Sequence, residues 1–162
     1  MSYKITEAGR KWLGKALPER QTDPRKELLD AVKRYNQQQK ELLREQISTM
    51  NPYKFEHLVG QLLEAMGYEQ VEVTKASGDK GVDVVGKVQV GITTITEVVQ
   101  VKRMQNTITR PFIGQLRGAL PYHKAIRGTL ITTGKFAAKC AEAALFPGAA
   151  PITLIDGDRL LE

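Results

Sequence analysis

The chain has 162 residues, 41% hydrophobic and 26% charged, with a net charge of +6 at pH 7. That length holds one full domain and an appendage; no apolar run approaches the ~20 residues of a membrane span, and MSYKITEAGRKWL lacks the apolar core of a secretory signal. A single cysteine, Cys140, excludes an intramolecular disulfide, and with only His57 and His123 beside it a Cys/His zinc site is not expected, so a reducing, cytoplasmic setting is.

Residues 1–22 read as a small fragment in which Thr6 caps a short helix opened by Glu7, with Ile5, Ala8, Trp12 and Leu13 as an apolar stripe too small to bury a core. Asp23 then caps a second helix with Pro24 at its first position. Leu28, Val32, Tyr35, Gln39 and Leu42 recur along it at four- and three-residue steps, a narrow seam that suits either a linker helix (23–48) or dimerisation. The main domain, 49–162, opens with Asn51 and Pro52 as cap and first turn of a helix. Phe55, Leu58, Val59, Leu62, Leu63 and Met66 fill its apolar face, and Gly67 stops it.

Strands are expected at 70–75, 82–89 and 95–102, separated by the SGDKG and VGITT turns. A helix at 110–122, a strand at 128–133, a helix at 136–145 and a strand at 152–156 follow. Strands joined first by tight turns and then through helices predict an α/β fold, a central mixed sheet flanked by helices, with an N-terminal helical extension.

Three polar residues interrupt the apolar strands. Asp83 lies among Val82, Val84 and Val85, where a buried carboxylate needs a cation. Gln100 and Lys102 are two apart and share a strand face with Val98, while Val99 and Val101 face the other way. Glu97 and Arg103, on that other face, read as solvated strand-end residues, and Asp79 as a turn residue of SGDKG. For Gln100 and Lys102 alone, an edge strand showing both to water explains the spacing as well as a metal-and-phosphate site does. From Arg103 to Lys139 there is no Asp or Glu, which points to a polyanionic partner.

The segments NPYKFEHLVGQLLEAMGY, SGDKGVDVVG, VVQVKR, IGQLRGAL, GTLITTGKFAAKCAEAA and ITLIDGDRLL, in that order, resemble the catalytic domain of Mrr-type restriction endonucleases, the branch of the PD-(D/E)XK nucleases with Gln in place of the second acidic residue. The resemblance spans roughly residues 50–162. It implies a restriction-endonuclease-like fold and Mg²⁺-dependent hydrolysis of double-stranded DNA, with Mn²⁺ as a substitute ion. It also implies a catalytic set of Asp83, Gln100, Lys102 and Glu56, with metal held by Asp83, Gln100 and the Val101 carbonyl. Val101 departs from the small residue usual between Gln and Lys. Arg103, Arg110, Gln115, Arg117 and Lys135 are the expected nucleic-acid contacts, Gln115 touching either DNA or the site. YKITEAGRKWL resembles the last helix of the winged-helix domain that precedes this domain in the family, so further domains or subunits are expected. Double-strand cleavage needs two sites, so a homodimer is expected; the alternative is a cleavage-inactive DNA-binding module of a larger assembly.

Overall fold

Helices α1 (Glu7–Leu13) and α2 (Pro24–Thr49) precede α3 (Pro52–Ala65), after which come β1 (Glu69–Val73), β2 (Val84–Val90), β3 (Thr93–Lys102), α4 (Arg110–Ala119), β4 (Arg127–Thr132), α5 (Lys139–Ala144) and β5 (Ile152–Ile155). The structure, a computed structural model, describes residues 6–13, 23–74, 81–104 and 106–162. Asp79 and its turn lie outside the described residues, as do Ile5 and the side chains of Trp12 and Leu13. The described helices include none long and apolar enough to cross a membrane. The chain divides into two units, Met1–Gln39 and Lys40–Glu162, and the division falls within α2.

In the first unit the expected caps form. The Gly9 N–H donates to Thr6 Oγ1 at 3.3 Å, and the Arg25 N–H donates to Asp23 Oδ1 at 3.0 Å, as N-cap residues do. None of the residues of α2 is buried, and the seam residues Leu28, Val32 and Tyr35 are exposed.

The second unit is built on a five-stranded sheet in the order β1-β2-β3-β4-β5. β1, β2 and β3 pair antiparallel, and β3, β4 and β5 pair parallel, so the sheet is mixed and β3 is its middle strand. Phe55, Val59 and Leu63 of α3 pack on Val84, Val99, Val101 and Ile131. On the opposite face Ile113, Leu116 and Ala119 of α4, with Cys140 and Ala144 of α5, pack on Val98, Leu130 and Ile152. Helices therefore cover both faces.

The start of α3 is fixed by Asn51, whose side chain accepts from the Tyr53 and Lys54 N–H groups, and its end by Gly67 at φ +87°. The buried face of α3 is narrower than its apolar pattern: Phe55, Val59, Gly60 and Leu63 are buried, whereas Leu58, Leu62 and Met66 are exposed. Gly60 explains the turn of the helix, because a Cβ there would meet Val73 Cγ2 at 3.0 Å, and only glycine lets α3 approach β1 so closely. Two further elements are shorter than expected. α4 stops at Ala119 and the chain tightens into a 3₁₀ turn, Leu120–His123, because Pro121 has no N–H for an α-helical bond. The α5 helix starts at Lys139, since Phe136 is drawn into a parallel bridge with Ile108.

Glu97 is not a solvated strand end. It is 4% exposed, and its carboxylate accepts from Tyr68 Oη at 2.8 Å, Arg127 Nε at 2.7 Å and Thr129 Oγ1 at 2.5 Å. The position next to β4 brings Arg127 directly opposite Glu97 in the register, a pairing that alternation within one strand does not reveal. Glu97→Ala would leave the guanidinium and two hydroxyls without their acceptor; we expect a loss of about 2 kcal/mol. A lower urea midpoint at unchanged m-value checks this.

Candidate active site

The site is built at the C-terminal half of β3. Asp83 immediately precedes β2 and is tied to β3 twice: its N–H donates to the Val99 carbonyl at 2.9 Å, and its Oδ2 accepts the Val101 N–H at 2.6 Å. Its own carbonyl accepts the Thr74 N–H at 2.9 Å, which holds it from the β1 side. The carboxylate is thus fastened to the backbone of the Gln100–Lys102 stretch.

Gln100 is fully buried, and among the described residues neither its Nε2 nor its Oε1 has a hydrogen-bond partner. The middle position of β3 removes the edge-strand reading, since the Gln100 side chain is not exposed there. A buried carboxamide with both ends unmade costs stability and calls for a ligand. Close behind it runs Gly81, at φ +82°; a Cβ there would lie 2.6 Å from Gln100 Nε2 and 3.2 Å from Gln115 Nε2. Sequence reasoning passed over Gly81, whose signal was a glycine two residues before a strand-borne Asp.

Lys102 is half-buried, with Nζ 6.0 Å from the centre of the Phe112 ring on α4, within the range of a cation–π contact. Glu56 flanks the buried stripe of α3 and is itself half-buried. Burial first, and then the Asp83 carboxylate, push its pKa above the ordinary value of 4.5, while His57 and Lys102 pull it down. Glu56, Asp83 and Lys102 therefore share one electrostatic neighbourhood around Gln100. Among the described residues no three His, Cys, Asp or Glu side chains form a metal-ligating group. The donors here are carboxylate, carboxamide and backbone oxygens instead.

The basic residues divide. Arg103 Nη1 donates to the Ser48 carbonyl at the end of α2, at 2.9 Å. Arg117 donates to the carbonyls of Ala150, Ala143 and Ala144 at 2.8, 2.7 and 3.1 Å, clamping the end of α5. Lys135 is paired with Asp156 and Asp158, and hydrogen bonds from Asp158 first and Asp156 second raise its pKa. Arg110 is exposed at the first residue of α4 and has no hydrogen bond or ion pair among the described residues. It shares a pocket of ≈ 330 Å³ with Arg117 and Phe146. Gln115 is also exposed on α4, yet its carboxamide reaches back to Gly81.

The restriction endonuclease family Mrr_cat matches residues 47–162. The chain belongs to this family. It is 34% identical over 155 residues to the type IV methyl-directed restriction enzyme EcoKMrr of Escherichia coli (strain K12), a match covering 92% of this chain and 47% of that protein, so the chain spans about half the length of that relative. Two solved structures share the fold. The DNA modification-dependent restriction endonuclease AspBHI matches at a TM-score of 0.61 with 18% identity, over 78% of this chain and 34% of that one. The MspJI restriction endonuclease, in complex with a 27-mer oligonucleotide, matches at 0.58 with 19% identity, over 78% of this chain and 30% of that one.

The raised pKa of Glu56 carries a stability consequence. The folded protein holds the Glu56 proton more tightly than the unfolded chain does. The favourable contribution is therefore complete below the ordinary value of 4.5 and is lost as pH rises through the raised value. Glu56→Gln removes that loss. In EDTA, the variant should melt above the parent at pH 7, and the gap should close as pH falls to about 4.5.

Proposed function

We propose that this chain is a metal-dependent DNA endonuclease unit that hydrolyses phosphodiester bonds in the restriction of modified DNA. The observation that carries the reading is Gln100: a fully buried carboxamide with neither polar atom hydrogen-bonded among the described residues, on the middle strand to which the Asp83 carboxylate is fastened. Such a vacancy in hydrogen bonding fits a hard cation, which takes carboxylate, amide and carbonyl oxygens. In an extended strand the N–H and C=O of one residue leave on the same edge. The Val101 carbonyl thus shares the Asp83 edge with the N–H that Asp83 accepts. Asp83, Gln100 and the Val101 carbonyl would hold Mg²⁺, or Mn²⁺ in its place; the pKa of Glu56 is raised by burial first and by the Asp83 carboxylate second, and such an ion would relieve the second of these. When bound, the ion supplies a polarised phosphate oxygen and a water of lowered pKa.

Lys102 then orients the attacking water and stabilises charge developing on the phosphate. Its ammonium is steadied by the Phe112 face, and among the described residues it forms no ion pair. Glu56 supports the same water from the α3 side. Residues 49–162 form the proposed nuclease unit, following a linker helix, with the 1–22 segment as the end of a preceding winged-helix-like domain. The substrate class is taken from relatives whose names describe methyl-directed and modification-dependent enzymes. Double-stranded DNA is the proposed partner and the cytoplasm the proposed location. Of the proposed DNA contacts, Arg110 is the cation with no internal partner among the described residues, and Arg103, Arg117 and Lys135 would have to act from their present bonds.

With Mg²⁺ and modified plasmid DNA, Asp83→Ala and Lys102→Ala should each lower cleavage by at least about 10²-fold while leaving the melting curve intact. Undiminished cutting by either variant would sink the assignment, and binding without cutting by the parent would favour the non-cleaving module. We further propose that the α2 seam pairs two copies, so that both strands of DNA can be cut. Light scattering should show a dimer that becomes a monomer in Val32→Glu/Leu42→Glu, with a single-site nicking activity left behind.

A further inference from the structure

We propose that Gln115 is a positioning residue that fixes which end of the Gln100 carboxamide faces the metal. The inference rests on the metal-dependent reading above and adds to it a residue and a role. A glutamate in the Gln100 position would offer an oxygen whichever way its end group turned. A glutamine offers an oxygen at one end only, and its NH₂ end repels a cation. The fold must therefore decide the orientation of Gln100, and among the described residues nothing hydrogen-bonds it.

The candidate for that task is Gln115. One point in space, where a Cβ of Gly81 would stand, lies 2.6 Å from Gln100 Nε2 and 3.2 Å from Gln115 Nε2. Both NH₂ groups thus lie near one point, and two donors set side by side without an acceptor are unfavourable. A carboxamide's oxygen and nitrogen are alike in shape, so Gln115 can turn its end group over within the same space. Its Oε1 then accepts from Gln100 Nε2, and Gln100 Oε1 is left for the ion. Because Gln115 is exposed on α4, it has the room to turn, whereas Gln100, buried on β3, does not. Gly81 completes the device: at φ +82° and with no Cβ, it is what allows both carboxamides to approach from one side. Phe112, one helical turn before Gln115 on α4, lies near Lys102, so the same helix attends both Gln100 and Lys102.

The test is a double-mutant cycle read by Mn²⁺ affinity, titrating free Mn²⁺ by electron paramagnetic resonance on the full chain without DNA. Gln115→Ala should weaken Mn²⁺ binding on the order of ten-fold in the parent. In a Gln100→Glu background, where either end of the side chain presents oxygen, the same change should weaken it less than about two-fold. A residue acting only as scaffold or DNA contact would shift both backgrounds alike. Equal effects in the two backgrounds, or no effect in the parent, would overturn the proposal. Asp83→Ala serves as the separate control: if it leaves Mn²⁺ binding unchanged, the metal site itself is misplaced and this proposal falls with it. Thermal melts of all variants report on folding independently.

Discussion

The bond from the Val101 N–H to Asp83 Oδ2, at 2.6 Å, is the contact on which the site depends. Pairing of β2 with β3 is regular from Val84–Val99 outward, and Asp83 extends it by one residue, backbone to Val99 and side chain to Val101. A side chain thereby takes the place of the next backbone partner. Two consequences follow. The strand β3 stays paired through Lys102 on its β4 edge, and Asp83 extends its other edge beyond the end of β2 to Val101, so Gln100 and Lys102 keep the same face. And the carboxylate is fixed without a rotamer search, at the edge where a backbone carbonyl also emerges. An exposed carboxylate on a loop would have to be ordered anew with each ligand, at an entropic cost that this arrangement meets during folding.

The two faces of β3 solve the problem of polar groups in a middle strand differently. On the α3 face Glu97 is surrounded by a hydroxyl from Tyr68, a hydroxyl from Thr129 and the Arg127 guanidinium, so its burial is compensated in full. On the α4 face Gln100 has no hydrogen-bond partner among the described residues. The contrast matters because the two residues are three apart on one strand and equally shielded from water. A fold able to satisfy Glu97 so thoroughly was not short of donors; on the proposed reading, Gln100 is left for a ligand at a cost in stability. The raised pKa of Glu56, caused by burial first and by the Asp83 carboxylate second, is a further local expense.

The element order, the mixed sheet and the helices on both faces were legible from apolar periodicity and turn residues, because long buried strands such as β3 and capped helices such as α3 repeat their signal many times. Asp83 was legible for a related reason: a charge amid Val82, Val84 and Val85 contradicts its surroundings. Gln100 was not, since period-two alternation in one strand says which residues share a face but not whether that strand is central or at an edge. The β3–β4 pairing decides that, and it depends on residues nearly thirty positions away. The same blindness hid Glu97, whose partner Arg127 is a register neighbour rather than a sequence neighbour, and the narrow buried face of α3, which Gly60 sets by its approach to β1.

A run of positive charge along the sequence is also not a patch of positive charge in space. Between Arg103 and Lys139 there is no acidic residue, yet Arg127 meets Glu97 and Lys135 meets Asp156 and Asp158, all supplied from outside the run. Arg117 is spent on three carbonyls, two at the end of α5 and one, Ala150, just before β5. What this leaves is fewer than the linear count suggests: Arg110, Lys124 and Lys139 are exposed with no side-chain hydrogen bond or ion pair among the described residues, and Arg110 stands at the N-terminus of α4, where the helix dipole adds to its charge, two residues before the Phe112 ring near Lys102. On the proposed reading, Arg110 would add its charge to that of the Lys102 ammonium near the scissile phosphate. The paired bases instead hold the sheet and its loops in place. Affinity for DNA would then depend on few phosphate contacts, with a correspondingly shallow salt dependence for this unit alone.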